Sequence, residues 1–331
     1  MRIHKPLNSI DNIRDAVFLA GPCPRPGQDW TDWRSEMCEA LEKSGFEGDV
    51  INPTNKDYDT NDPDYHSKQC WWETAGMNIA SCIVFWIDRN DEHPAFTTNI
   101  EFGIWSDRNP HAIVVGIPEG SEKCEYIKWV CETKGIKCFS TMEDVAKEVA
   151  SRFNRPQQLF FTSDTHFSSD RHIKMSQRPF LNVVDMDMTF ISNWNKCVTS
   201  NDIVMHLGDF GNTDMLKKLN FGKLMLLKGN YERKTTDFHI DDDRVEICDT
   251  MSVDINGRYI ACVHEPLSGI SNDFYLYGHI HEKGKVKRNG FNVGIDANNY
   301  NLVGVDTIRF YMNAIEKHYD DNVFCDRCGN K

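Results

Sequence analysis

Residues 159–170 read LFFTSDTHFSSD, a short apolar stretch that delivers Asp164 and, one spacer later, His166. A carboxylate and an imidazole at the end of a buried strand are metal-ligand types, and the arrangement recurs. DIVMHLGD ends in Asp209, KLMLLKGN in Asn230, RYIACVH in His264, and FYLYGHIH delivers His279 and His281. Five strand-like segments therefore end in oxygen or imidazole donors, with no thiolate among them. That mixture suits two divalent transition metal ions, manganese first and iron or zinc as alternatives, rather than a structural zinc. Two metals about 4 Å apart need a bridging carboxylate, and Asp209 on a central strand is suited to it. Such a pair clamps phosphoryl oxygens and lowers the pKa of water for in-line attack. His206, three residues before Asp209, is expected to face the other side of its strand and to serve the core.

The first half carries a different chemistry. FLAGPCPR places the Gly21–Pro22 turn straight after a strand, where doubly wound folds bind ligands. FWIDRNDEHPAFTTNIEFG ends a strand at Asp88 and leads Glu101 into a helix. On spacing alone, Thr98 with Glu101 three residues on reads as a capping box, in which the glutamate only holds the helix start. Arg25 and Arg34 are candidates for holding a phosphate, because guanidinium forks match its oxygens. Trp30, Trp33, Trp71 and Trp72 are candidates for stacking a base.

These residues need strands to end where they stand. At 331 residues the chain suggests two domains of about 150 each. In the first, AVFLAG, CIVFWID and AIVVGI read as strands. Trp33, Met37 and Leu41 mark one helical face ended by Gly45, and Thr141 opens a last helix with Asp144 three residues on. The alternation implies an α/β doubly wound parallel sheet of the flavodoxin or Rossmann kind. The polar connector NRPQQ (154–158) separates domains expected at 1–154 and 158–331. In the second, Met186, Phe190, Trp194 and Val198 at steps of four mark a helix between the first two strands.

Composition narrows the class further. A net charge of −13 argues against a grip on long nucleic acid, yet small nucleotides remain open where a bound cation reverses the local field. No apolar run approaches a membrane span, and the N-terminal stretch lacks a signal-peptide core, so a cytoplasmic protein without a membrane partner is expected. Twelve cysteines in such a chain read as thiols, with Cys82 and Cys262 as small buried side chains. Cys325 and Cys328 form a lone CxxC without a second half at zinc-finger spacing.

The order D-x-H, GD, GN, H and GHxH resembles the calcineurin-like metallophosphoesterases over residues 158–314. That likeness implies an α+β domain, a β-sandwich of two sheets flanked by helices. Asp164, His166 and His281 would hold one metal, Asn230, His264 and His279 the other, and Asp209 would bridge them. One departure stands out: the family usually has GNH, and here the stretch is GNYE, with Tyr231 in the catalytic place of the histidine. Tyrosine donates a hydrogen bond but is a poorer acid near neutrality, so turnover or substrate is put in doubt.

FLAGPCPR, DWR, INPTN, WWE, FWIDR and TTNIEFG together resemble the nucleoside 2-deoxyribosyltransferase-like family over residues 17–126. The likeness makes Glu101 the nucleophile that attacks the anomeric carbon, with Glu73 and Asp88 (or Asp91) assisting. Phe18 lies where those transferases often have a tyrosine, so the hydrogen bond to the nucleophile would be missing. Phe18, Gly21, Pro22, Arg25 and Arg34 would form the substrate side. Relatives of this kind assemble, so a homo-oligomer is allowed. Together the two likenesses imply a bifunctional nucleotide-processing enzyme acting on a small nucleotide or nucleoside: glycosidic cleavage or transfer, then phosphoester hydrolysis. Cleavage first is favoured if Arg25 and Arg34 hold a 5′-phosphate. The alternative is a metal-dependent phosphoesterase whose first domain only binds or senses a nucleotide.

Overall fold

The structure, a computed structural model, describes residues 1–23, 32–55, 62–90, 94–266 and 273–318. The chain divides into two compact units. One is Met1–Pro156 with Asn195–Thr199 and Lys217–Asn220; the other is Gln157–Trp194 with Ser200–Leu216 and Phe221–Lys331.

The first unit alternates strand and helix. In chain order it runs β1 (Arg2–His4), β2 (Val17–Ala20), α1 (Trp33–Lys43), β3 (Asp49–Ile51), α2 (Tyr65–Ile79) and β4 (Cys82–Trp86). It continues with α3 (Phe96–Arg108), β5 (Ile113–Gly116), α4 (Glu125–Lys134), β6 (Lys137–Phe139) and α5 (Met142–Phe153). All six strands pair in parallel in the order β1-β3-β2-β4-β5-β6. Strand residues alternate between two covered faces, which is why VFLA and CIVFW are apolar throughout. Val17, Leu19, Val84 and Trp86 pack with Met37 and Leu41 of α1 and Val145 and Val149 of α5. On the opposite face, Phe85 meets Phe102 of α3 edge-on with centroids 5.6 Å apart. Thr141 caps α5, accepting from the Asp144 backbone N–H at 3.2 Å, as its spacing predicts. The order reverses at β2, which has β3 on one side and β4 on the other. That is where a doubly wound sheet opens a crevice at its carboxyl edge.

The second unit holds two five-stranded sheets. The first contains β7 (Leu159–Thr162), β8 (Ile203–His206), β9 (Lys223–Leu227), β10 (Val245–Cys248) and β16 (Val303–Gly304), in the order β10-β9-β8-β7-β16. The second contains β11 (Met251–Ile255), β12 (Arg258–Val263), β13 (Tyr275–Tyr277), β14 (Val286–Lys287) and β15 (Gly290–Asn292), in the order β11-β12-β13-β15-β14. Phe161, Met205 and Leu227 of the first share one core with Ile260, Leu276 and Phe291 of the second, and Ile308 and Met312 of α9 (Val305–His318) join it. Helices α6 (Asp170–Met175), α7 (Val183–Cys197) and α8 (Asn230–Lys234) complete the unit. Met186, Phe190 and Trp194 of α7, with Val198 just beyond it, are fully buried, so the four-residue spacing marks a core face. The strands β7, β8 and β9 are parallel neighbours, as are β12 and β13, so their carboxyl ends lie together within each sheet.

No helix among the described residues is long and apolar enough to cross a membrane. Cys82 and Cys262 are buried thiols, while Cys325 and Cys328 lie outside the described residues. Phe161, fully buried in the core shared by the two sheets, is a direct probe of it. Phe161→Ala should destabilise the second unit by about 3–5 kcal/mol. A lower urea midpoint for its unfolding transition, at unchanged slope, is the expected result.

Candidate functional site

At the carboxyl end of β2 the chain turns through Gly21 and Pro22, and one buried side chain braces the turn. Arg34 of α1 donates from Nε to the Leu19 carbonyl (3.0 Å), from NH2 to Gly21 (2.8 Å) and from NH1 to Pro22 (3.1 Å). The Trp33 indole N–H also donates to the Pro22 carbonyl, at 3.1 Å. Two glutamates share the field of this guanidinium. Glu101 lies in the second turn of α3, and its carboxyl is pushed up to about 7, first by burial and then by the negative charge of Glu73, with Arg34 opposing. Burial raises Glu73 of α2 as well, against a hydrogen bond from Gln69 (2.8 Å) and the charge of Arg34. Glu73 thus raises Glu101 while the buried cation restrains both, a setting compatible with acid–base and nucleophilic work. Asp88 follows β4 and is exposed. Arg89 beside it is buried and ties this loop to the Glu122 carbonyl (2.9 Å), to the Lys123 carbonyl and to Asn99 of α3 (2.6 Å). Arg89 thus fixes the start of the helix that carries Glu101.

In the second unit the strand-end ligands converge. Ligand atoms of Asp164, His166 and His281 lie within 4.8 Å of one another, and so do those of Asp164, Asp209 and His264. Asp209 Oδ2 lies 3.7 Å from His166 Nε2 and 3.4 Å from His264 Nε2, too loose for directed hydrogen bonds. Asp164 Oδ1, His166 Nε2 and His264 Nε2 are buried without a hydrogen-bonded partner. Such groups are costly unless something else satisfies them. His279 Nδ1 and the Asn230 amide lie 3.2 Å apart, and the His279 backbone N–H donates to Asp164 Oδ2 at 2.8 Å. The donor set, carboxylate oxygen and imidazole nitrogen with vacant lone pairs, fits one or two divalent transition metals.

Electrostatics divide the imidazoles of that donor set into a neutral one and a charged one, whose proton a cation would have to displace. Burial and the neighbouring His172 hold His166 down to about 2, so it stands as a neutral imidazole. Burial opposes the charged form of His264, but contact with Asp209 and the charge of Asp164 override it and push His264 up to about 9. Burial would likewise raise Asp209, yet His264 draws it down to about 2. His206 is fully buried with Nε2 3.0 Å from Thr165 Oγ1, which is the structural role its strand position implied.

Glycine makes the crowding feasible. A Cβ at Gly229 would lie 2.4 Å from Asp209 Oδ1, and one at Gly278 would lie 2.5 Å from Asp164 Oδ2. The glycines of GN and GH therefore admit one ligand's carboxylate against the backbone that presents the next.

Parts of the chain are similar to a known family and to two proteins. Residues 14–121 match the family described as nucleoside 2-deoxyribosyltransferase like, a span that runs from before β2 to just past β5. An uncharacterized protein of Methanocaldococcus jannaschii is 30% identical over 179 residues, covering 49% of this chain and 93% of its own. The chain belongs to that protein's family. A protein of unknown function from Aquifex aeolicus, solved by crystallography, has 21% identity and a TM-score of 0.38, over 47% of this chain and 99% of its own.

The transferase-like domain corrects several expectations. Thr98 does not cap α3: the N-cap is Ala95, in the left-handed conformation and without a side-chain bond, so Glu101 is no capping-box glutamate. Phe18 is buried in the sheet, where a side chain at Gly76 of α2 would meet its ring, so it serves packing rather than substrate contact. Arg34 spends its donors on carbonyls and is fully buried, so it braces the turn instead of offering a fork to phosphate. That removes one of the two supports for a 5′-phosphate and for cleavage first. Trp33 and Trp72 are buried with their indole N–H groups bonded to the Pro22 and Asn8 carbonyls, whereas Trp71 is 72% exposed. Arg25, Trp30 and Asp91 lie outside the described residues.

Three further residues escaped the sequence reading. Arg89 stood in plain view within FWIDR. Glu232 is buried and accepts from the backbone N–H groups of Asp209, Phe210 and Gly229, each at 2.9 Å, so it clamps two ligand-bearing loops. His172 of α6 stacks on His166 with centroids 3.5 Å apart and places Nε2 3.3 Å from the Tyr231 hydroxyl. An imidazole therefore stands beside position 231 although GNYE carries none. Glu232→Gln replaces one acceptor oxygen by a donor and should cost roughly 1.5–3 kcal/mol. Faster hydrogen exchange at residues 207–211 and 228–232, with the first unit unchanged, would report the loosened clamp.

Proposed function

We propose that the chain is a bifunctional enzyme of nucleotide processing: an N-glycosidic bond is cleaved or exchanged in the transferase-like domain, and a phosphoester is hydrolysed in the second unit. The glycosidic reading is supported by Glu101, raised to about 7 beside Glu73 in a domain of that family. The oxygen of Glu101 bonds to the anomeric carbon as the carbon–nitrogen bond breaks. The electron pair leaves with the base nitrogen, and Glu73 or the exposed Asp88 supplies the proton. Water or a second base then displaces Glu101 from the sugar.

The phosphoesterase reading rests on one observation above others: three buried ligand atoms, on Asp164, His166 and His264, lack hydrogen-bonded partners within two convergent donor groups. Divalent cations held there would polarise phosphoryl oxygens and activate water. Asp164, His166 and His281 would hold one, and Asp209 with His264, Asn230 and His279 the other, Asp209 lying between. The Tyr231 hydroxyl, kept near His172, can donate to a phosphoryl oxygen. A small nucleotide or nucleoside is the substrate class, as the transferase-like domain suggests.

A panel of nucleosides and 5′-mononucleotides, with and without manganese, tests both halves by chromatography of base, sugar and phosphate. Glu101→Gln should abolish base release, and Asp209→Asn should abolish bound metal and phosphate release while base release persists. Metal-dependent phosphate release without any free base would make the first domain a nucleotide sensor instead.

A pH profile examines the carboxyl pair. As a nucleophile Glu101 must be ionised, so base release should fall as pH drops below about 7. Glu73→Gln removes a charge that raises Glu101 and should move this limb to lower pH. A limb unmoved or shifted upward would count against the pair.

A further inference from the structure

We infer that Arg178 and Asp296 are positioning residues that hold the Asp164–His166–His281 group in ligand geometry, each side chain acting through others rather than on substrate. The inference rests on the reading that this group binds a divalent cation. Asp296 Oδ2 lies 2.7 Å from His281 Nδ1, and an ionised carboxylate only accepts, so Nδ1 carries the hydrogen and Nε2 keeps the lone pair for the group shared with Asp164 and His166. Ser176 Oγ lies 3.1 Å from the same Nδ1 and can serve that N–H only as a second, longer acceptor.

Arg178 closes the arrangement. It is buried between α6 and α7, and its guanidinium binds Asp296 through both oxygens, Nε to Oδ1 at 2.7 Å and NH2 to Oδ2 at 2.8 Å. The remaining donors reach the carbonyls of Thr165 (3.0 Å) and Asp164 (2.6 Å). Those carbonyls belong to the turn in which Asp164 (φ 58°) and His166 (φ 47°) sit in the left-handed region, a conformation a neighbourhood must impose on such residues. One guanidinium therefore reaches all three ligands: Asp164 through its own carbonyl, His166 through the Thr165 carbonyl of the peptide before it, and His281 through a carboxylate that selects its tautomer.

A merely structural ion pair would predict something else. Its loss would lower stability and leave the relative affinity of the two metal positions alone. Outer partners of ligating histidines, when removed, typically weaken metal binding about 10–100-fold.

The test titrates the metal-free full chain with manganese, followed by loss of the free-ion resonance signal, and with cobalt, followed by its visible spectrum. Wild type, Asp296→Asn, Asp296→Glu and Arg178→Lys are compared, with thermal unfolding alongside. The expected result is one position of two weakened about 10–100-fold in Asp296→Asn, with an altered cobalt band for that position and substantial rescue in Asp296→Glu. Should Asp296→Asn not fold, Arg178→Lys retains the charge, loses the two-oxygen fork and should give the same selective weakening. Wild-type affinities and spectra in a folded variant, or equal weakening of both positions, would overturn the inference while leaving the metal reading intact. A wild type that takes up neither cation would overturn both.

Discussion

Buried polar groups at strand ends are the constraint from which the second unit is built. Asp164, His166, Asp209, His279 and His281 all have φ between 47° and 70°, a region that costs a non-glycine residue about 1–3 kcal/mol. Asp164, His166 and Asp209 are withdrawn from water as well, His279 and His281 only partly, and three ligand atoms among them and His264 have no hydrogen-bonded partner. A fold carries such a concentration of strain and unmet polarity only where surrounding contacts over-determine it. Those contacts are specific: Glu232 beneath the Asp209 and Asn230 loops, Arg178 beneath the Asp164 turn, and the Asp164 and His166 N–H groups bonded to the Gly208 and Asp209 carbonyls. The core of two sheets provides the rigid backing, since Phe161, Leu207 and Leu276 stand within a few residues of the ligands and are buried.

The first unit answers a smaller version of the same problem. Its carbonyls at the end of β2 find their donors in Arg34, a cation that can be buried because three carbonyls receive it. That same charge restrains Glu101 and Glu73, which would otherwise be driven further toward the neutral form. A residue that holds a turn therefore also sets the electrostatics of the carboxyl pair. Arg89 performs the neighbouring task, anchoring the loop from which α3 departs.

The sequence by itself determined the strands and the residue types at their ends. Runs such as LFF (159–161) and CIVFW had to be covered strands because every position is apolar, and a polar donor after each run is legible without coordinates. The parallel sheet followed from the alternation of strand and helix after β2, and the α7 core face from residues four apart. What tertiary structure alone decided were the partners. Spacing made Glu101 a capping residue, but α3 begins at Phe96 with Ala95 as its N-cap, so the glutamate lies in the second turn, outside any capping box. Composition made Arg34 a phosphate fork, but its donors were claimed by carbonyls that only the folded turn brings within 3.1 Å. His172 is some sixty positions from Tyr231, and Asp296 more than a hundred from Arg178. Such pairings leave no periodic trace, because a hydrogen bond depends on distance in space while a sequence records only distance along the chain.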